Sequence, residues 1–415
     1  MEEKPLIIAA NKPDLPDEYL VDNRVYFDRS TYEAERERIF LKSWNFVCHE
    51  SEIPNPGDFL TTTAAGQAII ICRNGAGDLR AYYNACRHRA AQVVCEERGH
   101  TRNFTCLYHL WSYDLNGRLT GVPEAAAYRT SFNPGGLAME RFGLVAVRIE
   151  ACHRLVFVCF DSEAPALEDF LGGAAASLKM PFGAPESEVF LVRRSVVNAN
   201  WKMQPENSRD GYHAPLLHRR LLDVSPPKPY RVLDHGHSVQ ELGLDYASGL
   251  ARGTVDKVLR DDPEMTLAFM RHPLPGMSLE RPALVVVLFP DTLLLVRYST
   301  ALIERQIALG PEQTLIELRA CRRIDDSPEV RSIRERHWQL YWSSDGGNLP
   351  EDIAAWEAQQ RGVHALGVQH SLIARGEPAR EGLRGDDNRL RQFWQEWRRL
   401  MGTSQNAPLE HEGAL

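Results

Sequence analysis

The first stretch with a regular hydrophobic pattern is "STYEAERERIF", residues 30–40, where Tyr32, Ile39 and Phe40 fall toward one side of a helix. Ser30 followed three residues later by Glu33 predicts a capping box at its start. From about Trp44 the pattern changes to short apolar runs punctuated by turn formers, which is the pattern of strands. "GQAIIICRNGAGDLRAYYNA" predicts two strands about an Asn74-Gly75 turn, and "FGLVAVRIEACHRLVFVCFD" predicts a second pair. Residues 161–177, acidic and rich in Gly and Ala, read as a connection. After it, strands are predicted over 189–198, 283–298 (two strands about Pro290-Asp291), 301–309 and 313–322. Helices are predicted over 203–213, 329–342, 350–361 and 388–400, the last with Leu390, Phe393, Trp394 and Trp397 as a packing stripe. Residues 223–280 have no usable period. The expected class is α+β: a small all-β domain over 44–160, and a second domain of residues 1–43 and 161–415 built on an antiparallel sheet.

Charge and composition narrow the partners. A net charge of −8 with no basic stripe argues against nucleic acid. "MEEKPLIIAA" places acids where a signal peptide needs bases, and no run reaches the roughly 18 apolar residues of a membrane helix. A cytoplasmic protein with no membrane segment is expected. Eight cysteines in 415 residues make no disulfide scaffold, so clustered cysteines point to metal.

They do cluster. Residues 86–111, "CRHRAAQVVCEERGHTRNFTCLYHLW", contain Cys86-x-His88 and Cys106-x-x-His109 with seventeen residues between the pairs. Incidental core cysteines are the plain alternative, and a structural zinc site would accept two thiolates and two imidazoles. Zinc pairs usually group like with like, whereas here each short pair carries one Cys and one His. Two such loops suit a [2Fe–2S] cluster with cysteines on one iron and histidines on the other. Cys95 and His100 fit neither pair and are read as non-ligands.

A second constellation lies in "NWKMQPENSRDGYHAPLLH", residues 200–218. Asp210 and His213, three apart, share one face of the predicted helix, and Pro215 would break that helix so that His218 can turn back toward His213. Two imidazoles need a carboxylate to form the facial triad that holds Fe(II) with positions left open. In "GNLPEDIAAWEAQQRG", Leu349, Ile353, Trp356 and Val363 define a buried stripe close to Asp352, while Glu351 points nearly opposite as a solvated first-turn acid. Asp352 is therefore the expected third ligand.

Cys86-x-His88, the seventeen-residue gap, and Cys106-x-x-His109 followed by "LWSYDLNG" resemble the Rieske domain of Rieske non-heme iron oxygenases. "NWK…EN…D-x-Y-H…H", with Asp352 five residues before Glu357, resembles the iron-binding segments of their aromatic-ring-hydroxylating large subunits. The likeness covers about residues 25–400. The sequence departs where that family commonly has Gly, at Ala90 and Leu110, and in the two-residue gap between Asn207 and Asp210. The resemblance implies that Cys86, His88, Cys106 and His109 hold a Rieske [2Fe–2S] cluster. It implies mononuclear Fe(II) on His213, His218 and Asp352, Asn207 beside that iron, and Asp210 reaching His109 of a neighbouring subunit. The second domain would be a helix-grip (START-like) catalytic domain with a curved antiparallel sheet.

The implied function is the terminal oxygenase of a multicomponent system. It takes electrons from NADH through a separate reductase, with a ferredoxin as a further candidate carrier, and uses O2 on a small aromatic substrate. Ring cis-dihydroxylation is the first expectation, with an aromatic carboxylate among the candidate substrates. Arg297 and Arg305 are candidate anchors for such an acid, against the plainer reading of exposed strand arginines. Alternatives are a monooxygenase or N- or O-demethylase, a Rieske electron carrier with a ligand-binding domain, and a zinc-stabilised binding protein. The resemblance leaves open a homotrimer or an α3β3 assembly with a small β subunit.

Overall fold

The computed structural model describes residues 15–218, 229–242, 263–278, 281, 283–343, 346–379, 381–383 and 385–402. Much of the aperiodic 223–280 stretch, and both ends of the chain, lie outside them. The chain forms two compact units, one of Phe40–Leu167 and one of Met1–Ile39 with Glu168–Leu415.

The Phe40–Leu167 unit is built of strands, turns and single 3-10 turns, with its strands in three small antiparallel sheets. Its organising element is Gln67–Arg73, where four consecutive apolar residues are fully buried. Successive strand residues face opposite ways. Ile69 and Ile71 enter a core with Val47, Val156 and Val158, while Ile70 and Cys72 enter a second core with Phe59, Trp111 and Tyr113. The second core also contains Cys86 and Cys106. The turn after Gln67–Arg73 is five residues long, not two: Asn74 Oδ1 accepts from the N–H groups of Ala76 and Asp78, and Gly77 takes the left-handed φ of +87°. The second hairpin joins Arg148–Cys152 to Leu155–Cys159 through His153 and Arg154, both at positive φ, as a tight two-residue turn requires.

The larger unit carries an eight-stranded antiparallel sheet. Its order is Ser187–Val197, Gln313–Arg323, Thr300–Gly310, Thr292–Arg297, Ala283–Leu288, Ser238–Leu242, Pro229–Val232, Glu381–Leu383. Among the described residues its two edge strands, Ser187–Val197 and Glu381–Leu383, do not pair with each other. Helices Met203–Arg209, Pro328–Trp342, Leu349–Gly362 and Asn388–Met401 accompany it. No helix among the described residues is long and apolar enough to cross a membrane.

Two helix boundaries differ from expectation. The first helix is Arg29–Glu35, capped by Asp28, whose carboxylate accepts from Thr31 N at 2.7 Å; Ser30 is already inside the helix and bonds the same carboxylate. Its last residue, Glu35, is fully buried and pairs with buried Lys202 at 2.6 Å. Trp201 and Trp397 add indole N–H donors to the same carboxylate, at 2.8 and 2.7 Å. The helix expected over 203–213 stops at Arg209. Asp210 turns its carboxylate onto Tyr212 N at 2.7 Å, a local bond that competes with the helical one, and Gly211 follows.

Candidate metal centres

Cys86 and Cys106 open two loops of the same construction. In each, the cysteine N–H donates to the carbonyl five residues on (Ala91, Trp111), at 2.8 and 2.9 Å. The cysteine carbonyl accepts from the N–H four residues on (Ala90, Leu110), at 2.9 Å in both loops. That closure needs a left-handed residue at the fourth position, and Ala90 and Leu110 supply it with φ of +57° and +58°. A glycine would adopt this conformation without the cost that Ala and Leu incur. The loops bring the His88 and His109 rings to 4.5 Å between centroids, with His88 stacked on Trp111 at 4.8 Å.

The donor chemistry fits a cationic cluster. Burial, with a contribution from the Cys86 sulfur, raises the Cys106 thiol. Burial, then His109 and Arg89, hold His88 below its ordinary value, so its ring is neutral. His88 Nδ1 is buried with no hydrogen-bond partner among the described residues. Tyr113 adds a contact that the sequence did not disclose. Its hydroxyl accepts from Arg87 N at 3.1 Å and lies 3.2 Å from Cys86 Sγ. Cys95 is exposed, and His100 bonds Asp58 at 2.9 Å.

In the larger unit, one ligand atom each from His213, His218 and Asp352 lies within 4.8 Å of the other two. Among the described residues no other three His, Cys, Asp or Glu side chains do so. The route differs from the predicted helix face. His213 caps a new short helix, Ala214–Leu217, with Pro215 in its first turn, and His218 closes it. Nε2 of His218 lies 3.1 Å from Asp352 Oδ1, and Nε2 of His213 lies 3.7 Å from the same oxygen. Asp352, Trp356 and Gln360 form the buried stripe of the Leu349–Gly362 helix, one turn apart. Asn207 Nδ2 donates to Asp352 Oδ1 at 3.1 Å. Asp210 Oδ2 lies 3.7 Å from His213 Nδ1, an ion-pair distance too long for a hydrogen bond. Burial alone would raise Asp210, but His213 and the Tyr212 N–H outweigh it and hold the carboxyl low.

Glu351 corrects the sequence reading. Expected in solvent, it is bonded to His218 Nδ1 at 2.9 Å. That contact orients the ring so that Nε2 meets Asp352, as carboxylates behind metal-bound histidines do. Burial opposes charge on His218, but Asp352 and Glu351 outweigh it and raise its pKa. Adjacent acids at a helix start carry no label for their roles; only the fold places one on each side of the imidazole.

The two arginine candidates separate. Arg297 pairs with Thr300 and Leu293 with Glu304, so Arg297, Leu295, Leu302 and Glu304 share one sheet face. Arg305, opposite Thr292, points to the other face. There, burial raises Asp291 to about 6 against the pull of Arg305. Burial also opposes charge on Glu317, yet Arg319, Arg305 and Arg194 hold it down to about 2. Arg305 thus has carboxylate company. Arg297, 4% exposed, lies over the Tyr341 ring at 4.3 Å and close enough to His218 to oppose its protonation. Burial, then Asp352, raise Glu304 on that same face to about 8.

Two iron-type donor sets on this fold define a class, and the family comparisons agree. Residues 43–134 match the Rieske [2Fe-2S] domain, and residues 183–403 match the catalytic domain of ring-hydroxylating α subunits. The chain belongs to the ring-hydroxylating oxygenase α-subunit family: it is a terminal oxygenase subunit with a Rieske cluster and a mononuclear iron. It is 34% identical over 395 residues to the 2-aminobenzenesulfonate 2,3-dioxygenase α subunit of Alcaligenes sp, covering 94% of this chain and 95% of that protein. It is 29% identical over 405 residues to the anthranilate 1,2-dioxygenase large subunit of Burkholderia cepacia, covering 92% and 93%. Its fold is similar to naphthalene 1,2-dioxygenase from Rhodococcus sp., with a TM-score of 0.78, 24% identity, and 92% and 94% of the two chains covered. The family draws on NADH through a reductase, works with ferredoxin and forms oligomers.

Proposed function

We propose that this chain cis-dihydroxylates an aromatic acid, with His213, His218 and Asp352 as the iron ligands and Cys86, His88, Cys106 and His109 as the cluster ligands. The observation that carries the reading is the convergence of two imidazoles and one carboxylate within 4.8 Å beside a sheet face that bears a buried arginine. A triad of this kind occupies one side of an iron and leaves the remaining positions to O2 chemistry, while a Rieske cluster supplies single electrons. Glu351 holds His218 in its ligating orientation, and Asn207 holds Asp352. Arg297 binds the acid group of the substrate, and Leu295 and Leu302 offer its ring an apolar floor. The relatives named for an aminobenzenesulfonate and for anthranilate, both aromatic acids, favour the same substrate class.

Asp210 links this site to the electron donor. It sits behind His213, and its carboxylate would reach His109 of a neighbouring subunit, which makes an oligomer the working unit. Around His109, Leu107, Tyr108 and Leu110 expose apolar surface of the kind a docking partner covers. The assembly is a homotrimer or an α3β3 hexamer with a small β subunit.

The test is single turnover of the reduced holoenzyme with 18O-labelled O2 and a panel of benzoates and benzenesulfonates. A cis-diol carrying two labelled oxygens supports the reading. A product with one label makes the chain a monooxygenase, and no aromatic turnover overturns the proposal.

A further inference from the structure

A polar cluster beside Arg297 is incompletely bonded. His337, on the Pro328–Trp342 helix, and Ser299, between the Thr292–Arg297 and Thr300–Gly310 strands, are both fully buried. His337 Nδ1 lies 2.7 Å from Ser299 Oγ. The Ser299 hydroxyl has no other acceptor among the described residues; its backbone carbonyl is taken separately by Arg334 Nη1 at 2.7 Å. A buried hydroxyl proton needs an acceptor, so Ser299 donates and Nδ1 accepts. Burial, then Arg297 and Arg334, hold the ring neutral, which leaves its one proton on Nε2.

That Nε2–H has no hydrogen-bond partner among the described residues. An unmet buried donor is costly, and each one calls for an explanation, a bound group being one. The ring cannot swing away readily, because Phe269 stacks on it at 3.9 Å and 12°. Tyr341 lies at 5.3 Å from His337 and carries the Arg297 guanidinium over its face, so the two donors flank one tyrosine.

We propose that His337 Nε2–H and Arg297 together form an anion subsite that takes the carboxylate or sulfonate of the substrate, with Ser299 as the positioning residue that fixes the donor tautomer. The inference rests on the reading of the site as a ring hydroxylase for aromatic acids. With the acid held here, the ring extends along the shared face over Leu295 and Leu302.

Affinity tests it. Benzoate, benzenesulfonate and neutral benzamide are titrated calorimetrically into wild-type holoenzyme and into His337→Leu, His337→Gln and Ser299→Ala. Wild type should prefer the anions. His337→Leu should lower the anion-to-benzamide affinity ratio on the order of tenfold, as loss of a hydrogen bond to a charged group does. His337→Gln, which keeps a donor, should recover part of the ratio. Ser299→Ala, which removes little volume, should lower it several-fold if the leucine variant does not fold. Variants with the wild-type ratio would overturn the subsite while leaving ring hydroxylation standing. Histidine-dependent anion binding in an enzyme that oxygenates no aromatic would support the subsite and overturn the wider reading.

Discussion

Replacing Tyr113 with Phe should lower the reduction potential of the Rieske cluster. The hydroxyl is fully buried and accepts from Arg87 N at 3.1 Å, so its own proton is directed to Cys86 Sγ at 3.2 Å. Burial, then the Cys86 sulfur, hold the phenol pKa far above neutral, so the donor persists at every working pH. Reduction adds negative charge to the cluster and its thiolates, so a donor to sulfur favours the reduced state. A hydrogen bond to a charged group contributes about 1.5–3 kcal/mol, and the part that differs between oxidation states is a fraction of it, about 1 kcal/mol. For one electron, 59 mV corresponds to a tenfold change in equilibrium constant, so the expected fall is about 40 mV. The assay is a spectroelectrochemical titration of the purified protein. Tyr82→Phe serves as control, since that hydroxyl bonds the Leu115 carbonyl and not a ligand. A Tyr113→Phe potential unchanged within about 10 mV, or raised, with the cluster intact would refute the argument.

Glu351→Ala should weaken mononuclear iron binding by about 10–100-fold, measured by iron content after chelator challenge, while the Rieske spectrum stays unchanged. Asp210→Ala should leave the protein folded, oligomeric and brown, yet make reoxidation of the reduced cluster with substrate and O2 very slow in rapid mixing; wild-type kinetics would remove the bridging role. Lys202→Met leaves the Glu35 carboxylate buried without its cation and should cost about 3–5 kcal/mol, seen as a large fall in Tm, of which Lys202→Met with Glu35→Leu should restore only part, because the Trp201 and Trp397 indole N–H groups then lose their acceptor. Glu206 is pushed up to about 7 by burial, which outweighs its donors Tyr26 and Trp394. Its folded pKa exceeds the unfolded 4.5, so the stability it contributes is present below pH 4.5 and is lost as pH rises through 7. Glu206→Gln should therefore raise Tm relative to wild type at pH 8 and change it little near pH 4.5.

The strands and long helices of the larger unit were legible because their apolar periods are strong, and the Cys-His pairs because their spacing is specific. What escaped depended on side chains choosing between local and distant partners. Asp210 could have stayed helical, but its carboxylate found Tyr212 N instead. Asp28 displaced Ser30 as the cap for the same kind of reason. Asn74-Gly75 has the form of a two-residue turn, yet the Asn74 side chain organises a longer one. Glu351 and Asp352 differ by one position, and the helix-face argument ranked them correctly by burial. It missed that a half-exposed acid could still reach a histidine 133 residues away in sequence. The opposite facing of Arg297 and Arg305 needed the register of the turn at Tyr298-Ser299, which no periodicity supplies.

The strand Gln67–Arg73 sends alternate side chains into two cores, one of which contains both cluster cysteines. Neither core can loosen while the other stays packed, because they share a backbone. Bleaching and unfolding of the Phe40–Leu167 unit should then be one cooperative event. The brown colour becomes a built-in reporter: visible absorbance followed during slow heating would trace the melting of the Phe40–Leu167 unit.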